Sequence, residues 1–454
     1  MDNLSFYHLT DLHYYANEFI GSKGQAYDLK CKVDQKCMDE SGAIIDAAFK
    51  SIAEDKETKL VLISGDLTFD GEVQSHDALK DKLNKLKESG KRVFITFATH
   101  DFYMHARKYT DEGEIELPKY SREQLRALYN DFGYSEAIAE HADSYSYCVQ
   151  LSDDVRLLCL NDDGDFDAFC GYYNDLLFWI KDQVEDAKRN GCEIFAMTHH
   201  PLVDPAPVYP LFSHKAMLGG YEFTAPYLAD LGIRYVFDGH THIHDISYIE
   251  SKKGNRLYQI NTGALTAYPL AYRKVNFSDE GMDIRTVQVD SIDYDLKGVS
   301  VLDYAKEHFT YMVSSVFDSL ENDYEKFLLL SQGFSGNEPL LRKLQPVLQK
   351  IGKAANAMTF KKFCGLFGAG KYVESSVAER KIIEFVCEVI LNMYSGTEKY
   401  SPETPEYKAF MPVCRKLGKV VKLKDYHGNT VNFEELIAKT LYNDGIDAWN
   451  AFIK

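Results

Sequence analysis

Five short stretches of this chain could do chemistry together: Asp11-Leu-His13, Gly65-Asp66, His100-Asp101, His199-His200 and Gly239-His240-Thr-His242. Each closes an apolar run with aspartate, histidine or both. On an extended segment, side chains two residues apart point the same way, so Asp11 with His13 and His240 with His242 can each grip one cation. Gly65 lets the chain turn sharply and leaves Asp66 projecting from a strand end, and Gly239 allows close backbone approach. Alone, each pattern is an ordinary turn. Five of them, each at the end of a predicted strand, point to one shared centre. Imidazole nitrogen and carboxylate oxygen suit Zn, Mn or Fe, with no cysteine required. The donors exceed what one tetrahedral ion uses, so two metal ions sharing a carboxylate are expected, with Asp66 best placed to bridge.

The elements that must hold these residues alternate. Strands are expected at 4–9, 60–63 and 92–98, separated by helices at 39–54 and 75–88, the second ending at Ser89-Gly90. A β-α-β-α-β start means parallel strands joined by crossover helices. Residues 21–37 show no clear period and read as a loop insertion. From 144 the pattern turns to strands, followed by a helix at 174–190 and strands at 193–198 and 233–237 that lead into the histidine pairs. Two more strands, 256–262 and 272–277, complete this region. Helical periodicity then occupies 301–330, 339–357, 375–395 and 433–453, with Ser376 and Asn432 as candidate N-caps. The division expected is a first domain over 1–292 and a helical domain over 293–454.

Composition narrows the function. A chain of 454 residues favours two or three domains. A net charge of −18 argues against nonspecific binding to nucleic acid or an anionic membrane. The nine cysteines are scattered, without a CxxC pair, and read as reduced thiols of a cytosolic protein. Neither a signal peptide nor a bilayer-length apolar run is visible, so a cytoplasmic location is expected.

In order and spacing, the five stretches resemble the motif series of the calcineurin-like metallophosphoesterases, over about residues 5–280. The resemblance implies two packed mixed β-sheets flanked by helices, an α/β fold, with the site at the strand ends. It implies Asp11, His13, Asp66 and His242 around one metal and Asp66, His199 and His240 around a second. The third motif of that family reads Gly-Asn-His-Asp, its Asn a ligand of the second metal. Here it reads Ala98-Thr99-His100-Asp101, and a Thr99 hydroxyl is the shorter and poorer ligand. The mechanism implied is in-line attack by a hydroxide activated between two cations. His100 would protonate the leaving alkoxide, and Asp101 would orient its ring. His200, Tyr268 and Arg273 are candidate substrate contacts, as are His105, Arg107, Lys108, His214 and Lys215.

Three further stretches, 65–76, 129–137 and 262–273, are similar to bacterial cyclic-nucleotide phosphodiesterase-like members that also carry a C-terminal helical domain. The expected substrate is therefore a small phosphodiester. The alternatives are a phosphomonoesterase, a nuclease (which the acidity disfavours) and a metal-poor relative that binds a phospho-ligand without cutting it. The helical domain would wall the pocket or mediate self-association into a homo-oligomer. Gly365 to Lys371 matches part of a P-loop, but Tyr372 stands where Ser or Thr is needed, so an interhelical turn is expected. The basic run over 339–373 reads as a solvated helix face, and Asn161-Asp162-Asp163 as turn capping.

Overall fold

The computed structural model describes residues 3–20, 24–162, 170–212, 214–328 and 338–454. Its strands in chain order are β1 (Leu4–Leu9), β2 (Leu60–Ser64), β3 (Arg92–Thr96), β4 (Arg107–Thr110), β5 (Gly113–Glu116), β6 (Ala137–His141), β7 (Ser146–Ser152) and β8 (Val155–Cys159). There follow β9 (Glu193–Met197), β10 (Tyr235–Asp238), β11 (Asp245–Glu250), β12 (Arg256–Asn261), β13 (Ala271–Ser278), β14 (Gly281–Gln288), β15 (Leu423–Lys424), β16 (Thr430–Val431) and β17 (Asn450–Ile453). One sheet runs β17-β14-β13-β1-β2-β3 and the other β11-β12-β10-β9-β8-β7-β6. In the first sheet β1-β2-β3 are parallel out to the β3 edge, and β13, β14 and β17 add antiparallel on the other side; in the second the central β8-β9-β10-β12 are parallel and both edges antiparallel. Both sheets are therefore mixed.

The apolar runs of the parallel strands have a physical reason. In β9, Phe195 and Met197 face the core shared with the first sheet, while Ile194 and Ala196 face helix Asn174–Arg189 and helix Tyr221–Leu231. A strand buried on both faces loses the polar half of its alternation. The two sheets meet across aromatic rings: Phe6 of β1 lies 5.4 Å from Phe195 and 5.2 Å from Phe237. Helices Ser41–Glu54 and Val73–Glu88 flank the first sheet and add Ile44, Ile45, Leu79 and Leu83 to the same core. Each such buried side chain contributes about 1.5–3 kcal/mol. This layering sends β1, β2, β3, β8, β9 and β10 into the loops that carry the candidate site.

The chain divides into two compact units. One comprises Met1–Pro205, Lys215–Ala305 and Ile446–Lys454, and the other Ala206–His214 and Lys306–Gly445. The second is helical, its core built from Phe360, Cys364, Phe385, Val413 and Cys414. No helix among the described residues is long and apolar enough to cross a membrane.

Four readings of the sequence need correction. Within 21–37, expected as a loop, Gln25–Val33 is a helix of weak amphipathicity that buries only Tyr27 (21–23 lie outside the described residues). The periodicity assigned to 433–453 stops at Leu441. Residues 450–453 instead alternate, burying Ala451 and Ile453, and pair with β14 as the edge of the first sheet. The stretch 375–395 is two helices, Ser375–Ala378 and Ile382–Ser395, and Ser376 caps neither. Strand β11 was not anticipated. Asn432 does cap its helix, its side chain accepting from Glu434 N and Glu435 N at 3.1 and 3.3 Å. The glycine-rich stretch before Lys371 closes helix Phe360–Leu366 and leads into a single turn at Gly370–Tyr372, as expected.

Candidate metal centre

The residues that follow the carboxyl ends of β1, β2 and β10 turn back sharply. Asp11, His13, Asp66, His240 and His242 all have positive φ, between 42° and 66°. They are five of the eight described non-glycine residues in that region. Left-handed backbone costs about 1–2 kcal/mol for a residue with a Cβ, and such residues gather where surrounding structure holds them for a purpose. Two glycines make the approach possible. A Cβ at Gly65 would stand 2.7 Å from Ala98 Cβ and 2.8 Å from His199 Nδ1, and one at Gly239 would collide with Thr10 Oγ1 and Asp11 Oδ2.

Six side chains converge. Nε2 of His13 lies 3.2 Å from Nε2 of His242, 3.5 Å from Asp11 Oδ1 and 3.6 Å from Asp66 Oδ2. Nε2 of His242 is 3.3 Å from the same Asp11 oxygen. On the other side, Nε2 of His199 is 3.2 Å from Asp66 Oδ2 and 3.2 Å from Nδ1 of His240. Asp66 Oδ2 thus belongs to both groups. Donors about 2.1 Å from one ion at tetrahedral or octahedral angles are roughly 3.0–3.4 Å apart, close to these spacings. The orphaned atom agrees: Asp11 Oδ1 is buried with no hydrogen-bond partner, while its Oδ2 accepts from Thr10 Oγ1 and His240 N. The residues present fit two cations, one per group, with Asp66 between them.

Two of the rings, His199 and His242, are turned by their other nitrogen, as metal-binding histidines usually are. His199 donates Nδ1–H to Ser64 O at 2.7 Å, freeing Nε2. His242 directs Nδ1 to Gln35 Oε1 at 2.9 Å. The electrostatics are those of a cation site. Burial would drive Asp11 and Asp66 toward neutral acids, yet His199 and the neighbouring imidazoles hold both well below the carboxylate range. In return, Asp66 and Asp11 overcome burial and raise His199 well above its ordinary value. Burial, with Lys36 nearby, holds His13 down to about 3, and burial with His200 and His199 lowers His240. These two are neutral donors.

His100 stands at the edge of this cluster, its ring 4.7 Å from that of His13. Its backbone N–H donates to Asp66 Oδ1 at 3.0 Å, leaving the other oxygen of Asp66 for the cations. The expectation that Asp101 orients the His100 ring is corrected here. The Asp101 carboxylate accepts instead from the backbone N–H groups of Leu67, Thr68 and Ala98 at 2.8, 3.1 and 2.9 Å. The ring is held by Phe69 O at 2.5 Å and Asp70 Oδ1 at 2.9 Å, both to Nδ1. Thr99 is buried at the start of the one-turn helix Thr99–Phe102.

The candidate substrate contacts fare differently. Arg273 is fully buried, with its guanidinium donating to Thr262 Oγ1, Ala448 O, Asp245 O and Asn261 O, so it braces the interior and does not reach substrate. His200 lies against the site, 4.0 Å ring to ring from His240, but its Nδ1 is tied to Asp162 Oδ1 at 2.9 Å. Tyr268 packs half-buried on the main core. His105 is exposed, Arg107 pairs with Glu114 at 2.6 Å, and Lys108 shares the β4-β5 hairpin. Lys215 is exposed, and the side chain of His214, like Asp163, lies outside the described residues.

Three residues that matter were not singled out for the site. Asp70 follows Asp66 by four positions, and the turn that brings it to His100 has no sequence signature. Asp162, read as turn capping, does cap, accepting from His199 N and His200 N, but also fixes the His200 ring. Gln35 comes from the supposed loop.

Two mixed sheets gathering histidines and aspartates around one shared carboxylate form the arrangement of a metal-dependent phosphoester hydrolase. The chain belongs to the calcineurin-like phosphoesterase family, whose domain matches residues 4–244. That family depends on a dinuclear metal centre. No curated protein matches the sequence significantly. Among solved structures, the chain is similar to a dimetal phosphatase from Danio rerio (13% identity, 66% of this chain and 98% of that one, TM-score 0.45). It is also similar to a purple acid phosphatase from yellow lupin, Lupinus luteus (12%, 64% and 52%, TM-score 0.43), and to an NAD nucleotidase from Haemophilus influenzae (14%, 69% and 56%, TM-score 0.36). The family assignment rests on the domain match and not on these distant likenesses.

Proposed function

We propose that this protein is a phosphodiesterase acting on a small phosphodiester such as a cyclic nucleotide, with two ions drawn from Mn, Fe or Zn. One observation carries the reading: Asp66 Oδ2 stands 3.6 Å from Nε2 of His13 and 3.2 Å from Nε2 of His199, serving two donor groups at once. Asp11, His13, Asp66 and His242 would hold the first ion and Asp66, His199 and His240 the second. Bound there, the pair supplies a water of lowered pKa and neutralises phosphoryl charge.

The chain's own residues do the rest. Gly65 and Gly239 keep the two carboxylates within reach of the imidazoles. Asp70 and Phe69 O fix the His100 ring at Nδ1, so Nε2 is the atom that gives a proton to the leaving alkoxide. Phosphodiester preference draws support from the stretches 65–76, 129–137 and 262–273. The net charge of −18 supports a small substrate over nucleic acid. Thiols without a paired framework support a reducing, cytoplasmic compartment. The helical unit is proposed as a separate domain that mediates self-association.

One observation favours a second reading. Thr99 replaces the family's Asn, and a second site with three strong donors and a hydroxyl suits a weakly loaded centre that binds a phospho-ligand without cutting it. Metal analysis combined with an assay in Mn²⁺ on bis-p-nitrophenyl phosphate, p-nitrophenyl phosphate and cyclic nucleotides decides. About two equivalents of metal with diester turnover supports the phosphodiesterase. Turnover of the monoester alone overturns it, and no metal after reconstitution leaves the binder.

A further inference from the structure

Beside the two donor groups of the metal centre lies a third, of different chemistry. Asp162 follows β8, His200 follows β9, and Cys170 precedes helix Asn174–Arg189. Oδ1 of Asp162 is 2.9 Å from Nδ1 of His200. Sγ of Cys170 is 3.5 Å from that nitrogen and 3.6 Å from Nε2 of the same ring. Carboxylate, imidazole and thiol thus each offer one atom within 4.8 Å of the others. Asp162 and His200 are buried and Cys170 is half-buried. This group shares no residue with the six that converge on Asp66.

All three residues are held in place by other contacts. Asp162 uses Oδ2 to accept from Thr198 Oγ1 and from the N–H groups of His199 and His200, at 2.7, 3.1 and 2.7 Å. Its Oδ1 is thereby turned to the imidazole. Cys170 O accepts from Gly219 N at 2.7 Å, and Gly171 forms a parallel bridge with Gly219, so the backbone that carries the thiol is pinned. Metal bonds of about 2.1 Å to nitrogen and oxygen and 2.3 Å to sulfur, at tetrahedral angles, set nitrogen and sulfur about 3.6 Å apart and nitrogen and oxygen about 3.4 Å apart. The first spacing is met at 3.5 Å. The second is drawn in to 2.9 Å because a proton is shared between Asp162 and His200. A cation replaces that proton and releases it to solvent, as metal binding at protonated ligands does.

We infer that Asp162, Cys170 and His200 form a third cation site, separate from the dinuclear centre and suited to a thiophilic ion such as Zn²⁺. The main centre offers nitrogen and oxygen alone, a set that Mn²⁺ accepts, whereas a thiolate makes this group select Zn²⁺. Three protein donors leave the fourth position of a tetrahedral ion to water. An ion held here ties the ends of β8 and β9 to residue 170. It does so next to the centre, since the His200 ring lies 4.0 Å from that of His240.

Cobalt reads this site selectively in the full-length protein. Co²⁺ bound by a thiolate shows a sulfur-to-metal charge-transfer band in the near ultraviolet, and the main centre, with no sulfur donor, cannot produce one. Wild-type protein titrated with Co²⁺ is expected to develop the band. Cys170→Ser should lose it and bind one equivalent of Zn²⁺ fewer than wild type. Cys31→Ser, which changes the other thiol that is not fully buried, should keep it. Should Cys170→Ser not fold, as judged by circular dichroism, the wild type carries the test: Zn²⁺ should slow iodoacetamide labelling of Cys170, mapped by mass spectrometry, by about tenfold or more. No band in the wild type, a band that survives in Cys170→Ser or is lost in Cys31→Ser, or labelling indifferent to Zn²⁺ overturns the third site. None of these readouts requires turnover. A protein that shows the band but hydrolyses no ester refutes the catalytic reading alone, and one that hydrolyses esters without the band refutes this inference alone.

Discussion

Oδ1 of Asp70 lies 2.9 Å from Nδ1 of His100, while the carboxylate next in the chain to that histidine, Asp101, is taken up by three backbone N–H groups. The two acids therefore have separate tasks. One supports a proton donor, and the other shapes the loop that carries it.

His100→Ala should retain metal and lose about 10²–10⁴ in kcat, the usual worth of general acid catalysis. Asp70→Asn should lose less, about tenfold, again with metal content unchanged. Asp101→Asn should lower the thermal midpoint, because it leaves an amide where three N–H donors need an acceptor. Parallel metal analysis, diester turnover and thermal unfolding check these. Normal turnover by His100→Ala removes that residue from its role.

Arg273→Met distinguishes an interior brace from a substrate contact. Its four acceptors are interior, three of them carbonyls, and burial pulls the guanidinium down to about 9. Removing it should destabilise the protein by about 3 kcal/mol or more, while KM of the folded fraction stays unchanged. A raised KM at unchanged stability would restore the substrate-contact reading.

Cations should stabilise the fold. Asp11 Oδ1 is buried without a hydrogen-bond partner, and five converging residues hold left-handed backbone. Mn²⁺ at a hundred times its dissociation constant should add about 2.7 kcal/mol per site, and chelation should remove it. Gly239→Ala, whose Cβ would press on Thr10 and Asp11, should lose the Mn²⁺-dependent rise in the unfolding midpoint. A midpoint indifferent to Mn²⁺ and chelator in the wild type would contradict two ions at this site.

Glu40 supplies a pH dependence. Burial pushes its carboxyl up to about 7 from an ordinary 4.5, against a hydrogen bond from Tyr304 that works the other way. A folded value above the unfolded one means that the stabilisation is complete below about pH 4.5 and is lost as pH rises through about 7. Glu40→Gln, neutral throughout, should therefore be more stable than wild type at pH 8, by up to about 3 kcal/mol, and equal to it at pH 4.5. Denaturant unfolding at the two pH values measures this.

Much of the site could be read from the chain before any coordinates. Asp11, His13, Asp66, His199, His240 and His242 were legible because each follows a largely apolar strand, and because glycine marks the two tightest approaches. The parallel order of β1, β2 and β3 was legible for a similar reason, since apolar strands separated by amphipathic helices admit little else. What local pattern could not decide were contacts between segments far apart in sequence. Gln35 meets His242 across 207 positions, and Arg273 meets Ala448 across 175. The choice of Asp70 over Asp101, the nitrogen each imidazole offers, the left-handed turns and the return of β17 to the first sheet were likewise decided only by the folded structure. Side-chain period and turn chemistry are written over a few neighbouring residues, whereas a hydrogen bond between distant loops depends on where packing of the whole sheet pair sets them down.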